Sequence, residues 1–160
     1  MADSWDKFEF ISRRAYQFHD DSTKSLGKQH PFELEDIHEK LPHVVRELFD
    51  NGHYSQATFE GYKFLDKIIQ RLSGSNESGF KLMMNAFSAT SPDIKLTDCK
   101  TTSEKDEQKG YQFLFAGFAL AIRNPRGHEY DVQDDPETTL AHLRLASMLL
   151  RRLQEAGHML

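Results

Sequence analysis

The chain has 160 residues and a formal net charge of −5 at pH 7, with eight histidines and a single cysteine, Cys99. This length supports one hydrophobic core without disulfides, and Cys99 has no cysteine partner within the chain, so we expect it to be a structural thiol. The acidic balance excludes a protein that coats nucleic acid non-specifically, although it leaves room for a small basic pocket.

The sequence predicts a cytoplasmic protein without a membrane partner. It opens on no charged segment followed by an apolar one, and no apolar run is long enough to cross a bilayer. Carboxylates, histidines and the cysteine do not cluster at metal-ligand spacing, so we expect no cofactor.

The N-terminal part of the chain has its own character. Residues 5–19 place apolar side chains at helical intervals, which predicts an amphipathic helix. A polar linker over residues 20–30 follows, and Pro31 ends it. We therefore divide the chain into residues 1–32, an N-terminal helix and linker, and residues 33–160, a helical domain. The first helix could pack on the main body or on a second copy of the chain.

The next stretch predicts helical structure over residues 34–50 and 53–72. Apolar residues recur at three- and four-residue steps over residues 34–50, and Pro42 is expected to begin a fresh helix because proline suits a first turn. Asn51–Gly52 predicts a left-handed C-cap. A longer helix follows over residues 53–72, in which Gly61 costs about 1 kcal/mol against alanine. We expect Gly61 to let another helix approach closely.

The middle of the chain predicts a turn over residues 73–79 and a short apolar helix over residues 80–87. Polar residues around 91–108 then indicate a loop insertion or a short strand. Residues 111–122 are apolar almost all round, which predicts a helix enclosed by others. Their phenylalanines and tyrosine are expected in the core rather than on a base-stacking surface.

The last helix begins after a run of acidic residues. Asp131–Asp135 supplies acidic cap candidates, and Pro136 suits the first turn of a helix that runs to about Glu155. The chain contains no internal repeat. The sequence therefore predicts an all-α fold, a helical bundle of five or six helices.

A polar turn is expected before this last helix, because Pro125 and then Gly127 are predicted to force the backbone out of the preceding helix. A histidine such as His128 can remove or donate a proton when a ribose 2′-hydroxyl attacks the neighbouring phosphate. The guanidinium of Arg123 fits the oxygens of a phosphorane-like transition state. Asn124 could bind the phosphate or orient the imidazole. RNA cleavage of this kind leaves a cyclic phosphate and needs no metal.

The hexapeptide Arg123-Asn124-Pro125-Arg126-Gly127-His128 resembles the signature of the HEPN superfamily, in which an arginine, often followed by a polar residue, precedes a histidine. The wider pattern also resembles the Ymh-like group of bacterial and prophage proteins. The resemblance covers most of residues 40–155, and residues 1–32 lie outside it. The matching pieces are Leu48–Tyr54, Leu82–Phe87, Gly110–His128 and Leu140–Leu153.

The resemblance implies a HEPN-like domain and a toxin-like, metal-independent ribonuclease of an antiviral, abortive-infection or toxin–antitoxin system. It implies a homodimer in which two such turns face each other across one cleft, an RNA substrate, and an antitoxin or defence-system partner protein. Carried over by position, it makes Arg123 the transition-state ligand, Asn124 its polar helper and His128 the acid–base group. One toxin branch has a tyrosine two residues after the histidine, where an antitoxin attaches adenylate, and Tyr130 occupies that place.

Two further residues are expected to bind substrate: Arg126, in the same turn, and His53, at a helix start. An alternative is that His53 caps its helix or closes the bundle. Arg123 and Asn124 could likewise cap helix carbonyls, with His128 bonded to a main-chain oxygen.

Spacing alone is weak support for the motif, because Arg14 to His19, Arg46 to His53 and Arg152 to His158 have gaps in the same range. Two functional classes therefore stay open: an endoribonuclease, and a catalytically silent helical module that binds RNA, a nucleotide or a partner protein. A third possibility is an assembly or antitoxin subunit.

Overall fold

The computed structural model describes residues 29–129 and 131–160. The helices of this part lie in one compact unit, Pro31–Leu160. The helix predicted over residues 5–19 lies outside the described residues.

The compact unit is all-α, and no strand occurs in residues 29–129 and 131–160. The predicted helical bundle is therefore confirmed. Within the same residues, none of the helices combines the length and the apolar character needed to cross a membrane. In chain order the elements are α1 (Pro31–Leu34), α2 (His43–Asp50), α3 (Tyr54–Ser73), α4 (Gly79–Ala86), α5 (Thr102–Phe118), a π-helical turn (Ala119–Arg123), α6 (Asn124–His128) and α7 (Pro136–Glu155).

The long helix α3 is the centre of the bundle and packs against α2, α4 and α7. The predicted close approach at Gly61 is confirmed, because a Cβ added there would lie 2.8 Å from Leu143 Cδ2 of α7. The core is built by side chains from α3, α4, α5, α7 and the segment between α4 and α5. The largest completely buried ones are Tyr62, Leu65, Ile69, Leu82, Met83, Phe87, Ile94, Phe115, Leu143, Leu149, Leu150 and Leu153.

Helix boundaries follow local sequence signals. Pro42 stands at the N-cap of α2, as predicted, because its fixed φ suits the entry to a helix. Gly52 has a φ of +79°, which confirms the left-handed turn expected at Asn51–Gly52. Asp135 caps α7, since its side chain accepts a hydrogen bond from the Thr138 N–H.

The insertion predicted around residues 91–108 is a loop that leads into the first turns of α5. The loop is held by Gln108 of α5, which is completely buried. Its Oε1 accepts from the N–H of Leu96 at 2.8 Å, and its Nε2 donates to the carbonyl of Ile94 at 3.0 Å. The helix begins early because Thr101 and Glu104 form a reciprocal capping box.

One expectation about α5 is wrong, since the helix is not enclosed on all sides. Phe115 and Phe118 are buried, but Phe113 is 54% exposed, Leu114 47% and Leu120 of the following π turn 51%. The core of the compact unit covers only one face of this apolar segment. The opposite face presents large apolar side chains to solvent.

The expected polar turn at Arg123–His128 is also wrong as local structure. The chain does not leave the helix at Pro125 and Gly127 but continues from α5 through the π turn into α6. Helix α6 ends at His128, and Glu129 has an extended backbone with φ −100° and ψ 134°.

Candidate functional site

The π turn explains how a proline fits here without ending the helix. The Asn124 N–H donates to the Ala119 carbonyl five residues back, so the helix widens just before Pro125. A proline within a regular helix lacks the N–H and clashes with the carbonyl four residues earlier, and a wider turn relieves that clash. Arg126 Nη1 also donates to the carbonyl of Ile122 at 2.8 Å. The motif is thus presented on a short helix rather than on a loop.

Gly127 allows α6 to lie directly against α3. A Cβ at this position would stand 2.7 Å from Cε2 of Phe59, closer than real Cβ atoms approach. Only glycine fits without moving the ring. Because Gly127 directly precedes His128, the contact of Gly127 with Phe59 also positions the backbone of His128.

Arg126 and Asp134 form a two-pronged ion pair beneath α6. Arg126 Nε lies 2.6 Å from Asp134 Oδ2, and Nη2 lies 2.5 Å from Oδ1. The two side chains are only 8% and 5% exposed. The Asp134 N–H donates to the Ser55 hydroxyl at 2.7 Å, so the pair ties α6 and the segment before α7 to the start of α3.

Arg123 lies beside the Phe59 ring, and part of its guanidinium has no hydrogen-bond partner among the described residues. Its Cζ is 5.8 Å from the ring centroid, and Nη1 donates to Asn124 Oδ1 at 3.0 Å. Nε is buried and finds no hydrogen-bond acceptor among the described residues. Within the described residues, Arg123 thus donates to a side chain of the same motif and not to a helix carbonyl.

His128 is the last residue of α6 and is exposed. In residues 29–129 and 131–160 its ring makes no hydrogen bond or ion pair. Arg152 and His158, which have a similar spacing, are both hydrogen-bonded. Arg152 Nη2 donates to the Leu96 carbonyl at 2.6 Å, and His158 Nε2 donates to the Lys95 carbonyl at 2.8 Å.

A pocket of about 460 Å³ lies next to α6, and we call it the α3–α6 pocket. The start of α3, the end of α6 and the segment before α7 line it. The structure brings His53 and Arg126 together here, both of which the sequence predicted as substrate-binding residues. Arg123, Asn124 and His128 are not among the residues lining the pocket, which are Gly52, His53, Tyr54, Ser55, Gln56, Phe59, Arg126, Gly127, Glu129, Val132, Gln133 and Asp134.

Behind α6 the ion pair influences two further titratable groups. Burial, and next the positive charge of Arg126, lower the pKa of His142 from its ordinary value of 6.5, while Asp134 opposes this shift. Burial raises the pKa of Tyr62, whose hydroxyl donates to the His142 carbonyl at 2.8 Å. His142 Nδ1 and the hydroxyl of Thr139 are buried without hydrogen-bond partners in the described part of the chain.

The sequence did not single out Phe59, His142 or the pairing role of Asp134. From the sequence, Asp134 is expected only near a helix start, and its position a few residues after the arginine-containing segment is a signal for the pair. Phe59 and His142 carry no local signal, because their role depends on which helices pack together. Tyr130, the predicted modification residue, lies outside the described residues.

No group of three or more histidine, cysteine, aspartate or glutamate side chains that could hold a metal ion occurs in the described residues. The arrangement of α6 instead offers a partly unsatisfied guanidinium and an exposed imidazole five residues apart. Guanidinium groups bind phosphate oxygens, and imidazoles exchange protons near neutral pH.

Residues 35–153 match the model of the protein family described as "Protein of unknown function (Hypoth_ymh)". The chain belongs to the Hypoth_ymh family. The predicted resemblance to the Ymh-like group is thereby confirmed. No curated protein and no solved structure matches the chain.

The Hypoth_ymh match includes the whole of α6, the start of α3 and the Arg126–Asp134 pair. It also includes His53 and His142. Every residue that the preceding paragraphs place at the candidate site thus belongs to the part of the chain that defines the family.

Proposed function

We propose that this Hypoth_ymh chain is a metal-independent endoribonuclease that acts as a homodimer. The observation that carries the proposal is the pairing, on one short helix, of an exposed His128 without a hydrogen-bond partner in the described residues and an Arg123 whose Nε lacks an acceptor. A buried polar group that serves only the fold normally has its hydrogen bonds satisfied, as the mostly buried Arg152 does.

The reaction follows from the chemistry of these groups. The 2′-oxygen of a ribose forms a bond to the neighbouring phosphorus, the bond from phosphorus to the 5′-oxygen breaks, and a cyclic phosphate and a free 5′-hydroxyl remain. His128 takes the proton from the attacking hydroxyl or gives one to the leaving oxygen. Arg123 holds the phosphate oxygens as negative charge develops, and Asn124 orients Arg123 through their 3.0 Å hydrogen bond.

Arg126 has a different role in this proposal. Its Nε, Nη1 and Nη2 already donate to Asp134 and to the Ile122 carbonyl. We therefore regard it as a positioning residue that holds α6 at the mouth of the α3–α6 pocket. His53, exposed at the same pocket, remains a candidate for substrate binding.

The exposed apolar face of Phe113, Leu114 and Leu120 supports the homodimer. A cluster of exposed apolar side chains on one helix face marks an interaction surface, and this face runs along the chain directly into the π turn and α6. Two copies joined there would bring two α6 helices into one assembly. The same face also fits the second candidate function, a silent module that binds a partner protein.

We place this protein in a HEPN-like, toxin-type system because of the resemblance of the Arg123–His128 hexapeptide. Such a system would serve antiviral defence, abortive infection or toxin–antitoxin pairing. That placement implies an antitoxin or defence-system partner and modification of Tyr130. Expression of the wild-type chain in bacteria should then slow growth, and His128→Ala should relieve the effect.

The test is RNA cleavage by the purified full chain in excess EDTA, with a labelled single-stranded RNA of mixed sequence. We expect fragments with cyclic phosphate ends, and we expect His128→Ala to lower the rate by about 10²- to 10⁴-fold. His43→Ala is the matched control, because His43 is an exposed histidine on α2.

Three results would contradict the proposal. These are no cleavage by the wild type, cleavage that His128→Ala leaves intact, and a loss that His43→Ala shares. RNA binding without cleavage would favour the silent module instead.

A further inference from the structure

We propose that the exposed side of α3 binds the phosphates of a single-stranded RNA next to α6. Lys63, Lys67 and Arg71 follow one another at four-residue steps on this helix, so their side chains form a ridge on its surface. We call these three residues the α3 ridge, and all three are exposed. Its place beside the cleaved phosphate rests on the proposed ribonuclease function, whereas its binding of RNA does not.

The ridge begins beside Arg123, the proposed phosphate ligand. Phe59 stands one four-residue step before Lys63, and its ring centroid lies 5.8 Å from Cζ of Arg123 and 5.9 Å from Nζ of Lys63. Gly79 locates Arg123 from a second side, since a Cβ added to this glycine would stand 3.9 Å from Nη1 of Arg123. The Gly79 N–H in turn donates to Oδ1 of Asp66 on α3 at 3.0 Å. The Arg123 guanidinium therefore lies alongside α3, next to the first residue of the ridge.

The charges of Lys67 and Arg71 are held in place but not compensated. Lys67 Nζ donates to Oε1 of Gln70 at 2.9 Å, and Arg71 Nη2 donates to the Met159 carbonyl at 2.9 Å. Both acceptors are neutral, and neither cation forms an ion pair with a carboxylate in residues 29–129 and 131–160. The two side chains are thus oriented by the fold while their charges stay available to an anion.

Nearby acidic side chains do not cancel the ridge. Nζ of Lys63 lies 3.1 Å from both carboxylate oxygens of Glu60, so this pair is close to neutral. Asp66, the other acidic residue of α3, is buried, 4% exposed, and its oxygens accept the Gly79 N–H. In a chain whose net charge is −5, the surface of α3 therefore carries an excess of positive charge.

A phosphodiester strand complements this surface, because it repeats one negative charge at every nucleotide. From Phe59 to Arg71 the helix rises about 18 Å. A stacked strand covers that length with about five nucleotides at about 3.4 Å each. Lysine and arginine contacts to phosphates position a strand without reading its bases. The α3 ridge would thus hold RNA of any sequence while one of its phosphates reaches Arg123.

The experiment measures binding of the full chain to a labelled 2′-O-methyl RNA of about twelve nucleotides, long enough to span the ridge and Arg123. This RNA cannot be cleaved by 2′-hydroxyl attack, because its 2′-oxygens carry methyl groups. Fluorescence anisotropy at several salt concentrations gives Kd and its salt dependence. The double variant Lys67→Gln, Arg71→Gln should weaken binding roughly tenfold at low salt and lower the slope of log Kd against log salt by about 1.4, since each lost phosphate contact removes about 0.7.

The matched control is the double variant Lys95→Gln, Lys105→Gln. It also removes two exposed positive charges, but these lie before and within α5. We expect it to leave the slope unchanged. The substituted residues of both double variants are exposed, so we expect both to fold, which circular dichroism checks.

Three results would overturn the inference: no RNA binding by the wild type, an unchanged Kd and slope in Lys67→Gln, Arg71→Gln, and an equal loss in the control. Displacement of the RNA by polyglutamate at an equal concentration of charge would also overturn it, because the ridge would then fit an acidic protein segment. Cleavage of unmodified RNA of the same sequence is measured in parallel. Ridge-dependent binding without cleavage would remove the ribonuclease and leave the ridge standing, and cleavage whose KM the ridge variant leaves unchanged would do the reverse.

Discussion

The guanidinium of Arg126 and the carboxylate of Asp134 meet in a buried, two-pronged ion pair that spans the segment between α6 and α7. The pair joins the last turn of α6 to the residue before the N-cap of α7. It holds the C-terminal end of α6 against the start of α3, where Ser55 accepts the Asp134 N–H. The position of His128 therefore depends on a contact made six residues further along the chain.

We predict that Asp134→Ala lowers the free energy of unfolding by about 3–5 kcal/mol, because it leaves the Arg126 charge buried without its partner. Urea denaturation followed by circular dichroism measures this change. Glu35→Ala is the control, since its 2.6 Å pair with Arg144 is solvent-exposed and should cost at most about 1 kcal/mol. If both variants lost the same free energy of unfolding, the buried pair would contribute no more to stability than the exposed one, which would contradict the prediction.

Gly127→Ala should destabilise the protein by about 1–3 kcal/mol, because the new methyl group would lie 2.7 Å from the Phe59 ring. Gly110→Ala in α5, before the apolar face, should instead stabilise it by up to about 1 kcal/mol, because the methyl group there meets open space and alanine favours a helix. Thermal melts of the two variants give opposite shifts. Adding Phe59→Leu to Gly127→Ala should recover part of the loss, and no recovery would place the strain elsewhere.

The lowered pKa of His142 predicts a pH dependence of stability. Below pH 6.5 the unfolded chain binds a proton at this residue before the folded chain does, so the folded state loses stability as the pH falls through 6.5 toward the lowered pKa. His142→Gln removes this contribution. The urea midpoint of the wild type should therefore drop more between pH 7 and pH 5.5 than that of the variant, and identical drops would contradict the assignment.

Phe113→Glu should convert the proposed homodimer to a monomer, because a carboxylate would be buried without a partner at the interface. Sedimentation velocity of the full chain measures the change. Met148→Glu is the control, since Met148 is an exposed apolar residue on α7, 40% exposed and outside the face of Phe113, Leu114 and Leu120. A wild type that sediments as a monomer at all concentrations would contradict the dimer.

The sequence predicted much of the fold because the helices depend on local signals. Pro42, the Asn51–Gly52 turn and the Asp135 cap each act within a few residues of where they stand. The apolar spacing of α3 likewise identified the face that packs on α7. Such features can be read from a single chain without knowing what lies beside it.

The rest depends on contacts between distant segments. Pro125 and Gly127 read as helix breakers, yet the π turn accommodates the proline and Phe59 occupies the space that the glycine leaves. The sequence placed Arg123, Asn124 and His128 near one another, but the engagement of Arg126 by Asp134 required the fold. The exposed half of α5 could not be predicted either, because apolar residues on both faces give no indication of which one is covered.

The π turn also sets the rotational phase of the residues that follow it. A π turn takes up one extra residue in an otherwise α-helical path, and each residue of an α-helix advances the rotation by about 100°. Deleting Leu120 would close the wider turn, so Pro125 would meet the carbonyl four residues before it, and the residues after it would rotate by about that angle, which would turn Gly127 away from Phe59 and move His128. The number of residues between Phe118 and Gly127 therefore sets the direction in which Gly127 and His128 face.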